Sequence, residues 1–301
     1  MAEQDTALAP RPNDEGRQEP AAGIWRDAFG RLLHHRLGMF GAIIVTILIL
    51  TAIFGPYLAP YDPNEQDFST RFSGPTWAHP LGTDDFGRDT LSRIMQGARV
   101  SLQVGIIAVS IAGTVGTLLG LVAGYAGRIL DEIIMRALDI LFAFPAILLA
   151  IAILAALGRG VANAMVAIGV VYIPIFARIA RGAVLSVRNE EFIEAARAIG
   201  ASDVRILFRH IFPNTVAPLI VETTLSLAFA ILAEAALSFF GLGTQPPDPS
   251  WGRMLSEGRA YFRQSFWMGI FPGLAIMFTV MGFNFLGDGL RDVLDPRLKN
   301  V

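Results

Sequence analysis

Long apolar runs separated by charged connectors set the pattern of this chain. Leu37–Tyr61, Val100–Gly127, Ile140–Gly158, Gly160–Ala177 and Ser265–Gly287 contain no Asp, Glu, Lys or Arg, and Val216–Leu242 contains only Glu222 and Glu234. Each run approaches or exceeds the roughly 20 residues that a helix needs to cross a hydrocarbon core. The pattern predicts an all-α membrane protein of six transmembrane helices. Gly116, Gly120 and Gly124 recur every four residues in the second run, which predicts a face where another helix packs closely. Pro145, Pro174 and Pro272 lie in three different runs and predict kinks.

The polar stretches organise the remainder. Residues 1–23 mix acidic, basic and Pro residues, as expected of a disordered cytoplasmic tail, and their early charges do not read as a signal peptide. Residues 24–38 place Trp25, Phe29, Leu32 and Leu33 against Arg26, Arg31 and Arg36 at helical spacing, which predicts an interfacial helix on the inner membrane surface. Residues 39–298 are then the six-span domain. With the N-terminus inside, sixteen of the 24 basic residues fall in cytoplasmic segments against eight outside, so both termini are expected in the cytoplasm.

Residues 188–214, between the fourth and fifth runs, are too charged for a bilayer and carry the marks of two short helices. Asn189 is a good N-cap, and Glu190 and Glu191 fill a first turn where the helix dipole favours anions. Gly200 supplies a left-handed stop, Ser202 caps the second helix and Pro213 lies at its end. Ala195 and Ala196 leave a flat patch that another backbone can approach. The stretch predicts a surface hairpin that plugs into a soluble partner.

Composition narrows the chemistry. The chain has 301 residues, 53% of them hydrophobic, and no cysteine, which removes disulfides and thiolate metal sites. Lys299 is the one lysine, so no Gly-x-x-x-x-Gly-Lys phosphate loop exists. The histidines (His34, His35, His79 and His210) form no His-x-x-x-His pair, no Gly-x-Ser-x-Gly elbow is present, and Phe285 stands where an intramembrane aspartyl protease needs Gly. Glu222 and Glu234 remain, because intramembrane carboxylates are tolerated only against protein or water. On one helix they lie roughly 18 Å apart and about 120° around the axis. Both are candidates for a translocation path, Glu234 in the outer half and Glu222 nearer an inner gate.

Several connectors carry local expectations. Asp139 follows Arg136 by one turn and predicts an ion pair within one helix. Gly82–Asp89, with Asp84, Asp85 and Arg88, predicts an N-capped amphipathic helix on the outer surface, either a solvated connector or a contact surface. Trp251 reads first as a bilayer-interface anchor. Asp288 to Asp292 and Asp295-Pro296 are expected to stop the last helix and form local ion pairs.

Glu194-Ala195-Ala196, followed by Gly200 four residues after the second Ala and Pro213 thirteen after that Gly, resembles the loop of ABC-importer permeases that docks on the ATPase subunit. The ending His210-Ile211-Phe212-Pro213 keeps the Pro and shifts the apolar positions of that family. Leu81–Arg99, Gly241–Leu255 and Asn284–Pro296 look like the dipeptide/oligopeptide/nickel branch, its second and shorter permease subunit, some members of which serve glutathione. The resemblance runs from Trp25 to Leu298. It implies that 188–214 is a coupling-helix hairpin and that this chain forms a heterodimer with a homologous permease subunit. It further implies two ATPase subunits that bind ATP and Mg, no cofactor in this chain, and a periplasmic or surface-anchored binding protein delivering substrate to the loops 62–99 and 243–265. The setting would be the bacterial inner membrane, with no nucleic-acid partner, and the substrate would be a dipeptide, oligopeptide, glutathione or nickel chelate.

Two rivals make different demands. An ion-coupled secondary transporter predicts inverted repeats and a midplane relay, whereas no repeat is visible and only two deep carboxylates occur. A membrane scaffold would explain the hairpin but not the kinked, carboxylate-bearing spans.

Overall fold

The computed structural model describes residues 30–294. The tail 1–23, residues 24–29 of the interfacial segment 24–38, and 295–301 lie outside the described residues. The main helices are α1 (Arg36–Leu58), α2 (Thr90–Ala126), α3 (Arg128–Phe142), α4 (Ala146–Leu157) and α5 (Val161–Val187). They are followed by α6 (Glu191–Ala198), α7 (Asp203–Phe239), α8 (Trp251–Ala260) and α9 (Trp267–Leu294). Five are long and apolar enough to cross a membrane, and the α3–α4 pair supplies a sixth span if its two bent arms are counted as one.

That pair corrects the expected third span. Ile140–Gly158 is not a continuous helix: α3 and α4 meet at 91°, with Ala143–Pro145 between them. Pro145 has no N–H to continue the ladder and disfavours helical geometry in Phe144, so the chain turns rather than kinks. Asp139 does not pair with Arg136 either. Arg136 reaches back to Glu132 at 2.7 Å, and Asp139 receives Arg178 of α5 at 2.6 Å. A second clamp, Arg181 to Asp131 at 2.5 and 2.7 Å, fastens α3 along α5.

Glycine sets the closest crossings. A Cβ on Gly116 would stand 2.6 Å from the Ile173 carbonyl oxygen and one on Gly124 2.7 Å from Val184 Cβ, so α2 and α5 touch along the expected stripe. Gly41 and Gly282 do the same for α1 and α9, where a Cβ on Gly41 would stand 2.7 Å from the Gly282 oxygen. In a bilayer, where apolar burial drives little, such backbone approach is a principal source of helix attraction. The alternating spans bring α1's start and α9's end to one end of the bundle. His35 and Asp292 pair there at 3.2 Å. This hairpin end also carries α6, and the loop end opposite carries 59–89 and α8.

At the loop end, Gly82–Asp89 is not an amphipathic surface helix. It is a turn closed by a bridge between Thr83 and Asp89, with Asp84, Asp85, Arg88 and Asp89 buried. The helix begins only at Thr90, capped by Asp89, which accepts from the Ser92 N–H at 2.8 Å. The acids are sequestered because guanidinium groups meet them. Arg88 binds Asp84 at 2.6 Å, Arg93 lies 3.4 Å from Asp84 and 3.6 Å from Glu257, and Arg253 binds Glu257 at 2.9 Å. Burial, with Asp84 and Glu257 beside it, pushes the Asp85 carboxyl above its ordinary range. Ionising it therefore costs stability, and that penalty appears as pH rises through the raised value. Trp251 is no bilayer anchor: it is 2% exposed, lies against Gly97, and donates its indole N–H to the Ile94 carbonyl at 3.0 Å.

Candidate functional site

Two places stand out once the bundle is assembled, the hairpin and one face of α7. The hairpin departs from its expected caps. Asn189 is taken into the turn that closes α5, and Glu190 is the residue before α6, with no side-chain cap bond. Gly200 adopts φ 82°, the left-handed stop expected of it. Ser202 precedes the next helix but makes no cap bond. That helix is not short. It runs from Asp203 through a π-helical turn, Ile206–Ile211, into the fifth span, and Pro213 is absorbed directly after the wide turn instead of ending the helix.

The hairpin is held from below and open above. Ile193, Ala196, Ile206 and Ile211 pack with Leu121 and Val184 in one buried cluster, while the Tyr125 hydroxyl donates to Asp203 at 2.6 Å and the Arg188 guanidinium donates to the Gly124 carbonyl at 2.9 Å. Ala196 therefore faces the bundle, not a partner. Glu194 and Ala195 face out. Beside them Phe192, Ile199 and Val204 are exposed, Ile199 by 86%, on a segment too charged to lie in lipid. Helical spacing did not mark these three, because the apolar residues of α6 divide between both faces and Ile199 and Val204 lie beyond its end.

The fifth span separates its two carboxylates. Glu234 is wholly buried: it accepts from Ser238 at 2.7 Å, from Ser101 of α2 at 3.2 Å, and from Thr244 at 3.4 Å. It works as a polar staple between α7, α2 and the 240–250 loop. Glu222 accepts from Ser226 at 2.7 Å and lines a cavity of about 530 Å³. Pro218, Val221 and Leu225 from α7, Ile179 from α5 and Arg291 from α9 complete its main walls.

The same face of α7 carries further lining towards the loop end. Phe229, Leu232 and Ala236 of α7, with Tyr172 of α5 and Ile147 of α4, line a second hollow of about 220 Å³. Residues 214, 218, 221, 222, 225, 229, 232 and 236 fall within about 120° of arc and about 33 Å of helix, near the thickness of a hydrocarbon core. Glu234 points away from this stripe. Helical spacing on α7 could have revealed the stripe in the sequence; Arg291 and Tyr172, on other helices, could not have been added to it.

Comparison with known proteins gives a consistent result. Residues 116–300 match the family described as binding-protein-dependent transport system inner membrane component, and residues 23–75 match the N-terminal TM domain of oligopeptide transport permease C. The chain is 50% identical over 295 residues to the dipeptide transport system permease protein of Alkalihalophilus pseudofirmus, covering 97% of each. It is 47% identical over 277 residues to the glutathione transport system permease protein of Pectobacterium atrosepticum, covering 92% of each. Its fold resembles a chain of the inward-facing MetNI methionine ABC transporter, with a TM-score of 0.56 at 19% identity over 67% of this chain and 96% of that one.

Proposed function

The chain belongs to the family of binding-protein-dependent transport system inner membrane components, and on that premise we propose that it is one of two permease subunits through which an ABC importer passes short peptides or glutathione-like solutes. It is a multi-pass membrane transport subunit and not an enzyme; ATP hydrolysis belongs to partner ATPases. The substrate class rests on the relatives, which serve dipeptide and glutathione transport.

The observation that carries the coupling is the tip of the hairpin. Ile199 and Val204 flank Gly200, exposed on a rigid, tied-down turn at the bundle end. Apolar side chains held there in water are what a docking contact requires. In this reading the hairpin, through Glu194, Ala195 and Gly200, seats in an ATPase subunit that binds ATP and Mg. Its floor residues (Ala196, and Pro213 beyond) transmit movement to α2, α5 and α7. Because α7 runs unbroken from the hairpin to the loop end, a tilt at one end moves the groove. Nucleotide state then selects between inward- and outward-facing packings.

The rest of the assembly follows from the same reading. The hairpin end is cytoplasmic, which agrees with the excess of basic residues there and brings both termini inside. The groove on α7, with Glu222 in it, is completed by the homologous permease subunit, each chain forming half of the path. An external binding protein meets the loop end, where the buried ion cluster withdraws Asp84, Asp85, Arg88, Asp89 and Arg93 from contact and leaves Trp77, Phe68 and Phe262 exposed.

Replacing Ile199 by Glu tests the coupling. Co-purification of the ATPase subunits with the permease pair should fall at least tenfold, while all spans remain inserted. Gly200→Val should separate ATP hydrolysis from uptake. Wild-type uptake and ATPase association in both variants would remove the hairpin from the mechanism.

A further inference from the structure

We propose that Glu222 and Arg291 together form a zwitterion-binding site at the hairpin end of the groove, taking a small solute that carries both an ammonium and a carboxylate. This deepens the reading of the chain as a peptide-type permease and rests on it.

The cavity brings opposite charges to one apolar chamber from two helices. Glu222 is a half-buried carboxylate whose Oε1 accepts from Ser226 at 2.7 Å; among the described residues no donor meets Oε2, so that oxygen is available to a ligand. Arg291 enters the same cavity from the last turns of α9. No ion pair joins the two, so their charged atoms stand more than 4.0 Å apart. Asn214 adds a side-chain carbonyl at the rim, because its amide nitrogen is spent on the His210 carbonyl at 2.6 Å. The remaining lining is apolar.

The dimensions and chemistry agree. About 530 Å³ lies within the range of small-molecule sites, and a few polar groups in an apolar lining are their usual composition. Two extended residues span about 7 Å, which sets the charged ends of a dipeptide about that far apart. A guanidinium binds a carboxylate with two parallel donors, which an ammonium cannot match, so Arg291 takes the C-terminus and Glu222 the N-terminus. Neither group alone distinguishes a zwitterion from a simple ion. The pair does, because blocking either end of the peptide removes one of the two ion pairs. The site therefore checks both termini after delivery, independently of the binding protein.

The test uses the assembled permease–ATPase complex in detergent without its binding protein, and radiolabelled glycyl-leucine as probe. Wild type should bind it, with N-acetyl-glycyl-leucine and glycyl-leucine amide competing at least tenfold more weakly. Glu222→Gln should abolish the discrimination against the acetylated form, and Arg291→Gln the discrimination against the amide. Discrimination unchanged in both variants overturns the proposal, as does absence of binding in a complex that still takes up the dipeptide when its binding protein is restored. Retention of phosphatidylethanolamine that depends on Arg291, without peptide binding, also overturns it and gives the chamber to a lipid headgroup. If the restored complex imports no peptide of any kind, the peptide-permease reading itself fails, which is a separate result.

Discussion

Glu222 and Glu234 are the same residue type, twelve positions apart on one helix, and the bundle treats them in opposite ways. Around Glu234, α2, α7 and the following loop supply three hydroxyl donors. Around Glu222, α5 and α9 splay and leave a chamber with an arginine in its wall. A carboxylate in a span costs roughly 2.5–3.5 kcal/mol on insertion scales unless something meets it. Here two answers to that cost appear side by side: one carboxylate is spent on holding helices together, the other opens on a chamber. Burial, rather than residue type, separates structure from function.

Glu234→Ala leaves buried hydroxyls without their acceptor and opens a void, so it should destabilise the subunit by about 2–4 kcal/mol. Thermal unfolding of the detergent-solubilised complex measures this. Glu234→Gln keeps an acceptor and should lose only about 1 kcal/mol, with uptake per folded complex unchanged. Glu222→Ala should alter stability by less than about 1 kcal/mol, because one partner and half-exposure are all it surrenders. Similar unfolding losses at both positions would erase the distinction.

The sequence announced the architecture better than the partnerships. Six apolar runs foreshadowed the spans, and the Gly116–Gly124 stripe and the left-handed Gly200 were legible because their roles are local: a period along a helix and a backbone turn. What failed needed a second element. Pro145 produces a 91° turn because the flanking arms have somewhere to pack, α3 being clamped to α5 through Arg178 and Arg181. Asp84, Asp85 and Arg88 look solvated until Arg93 and Glu257 arrive from other elements. Trp251 looks like an anchor until Gly97 admits its ring. Ala196 looked like half of a flat patch, yet a helix of eight residues has an inner face, and Ala196 lies on it. For the same reason the two carboxylates could be separated by angle but not ranked, since what each meets is decided by helices remote in sequence.

The chain contains no cysteine, so single thiols can be introduced on a silent background. Glu222→Cys and Glu234→Cys, each assembled with its partner subunits, should be treated with a membrane-impermeant anionic thiol reagent, without nucleotide and then with ATP and vanadate. Position 222 should label rapidly, at a rate that changes severalfold between the two states, while position 234 stays unlabelled in both. Labelling of 234 in either state, or a 222 thiol unreactive in both, would contradict the assignment of the α7 groove to the transport path.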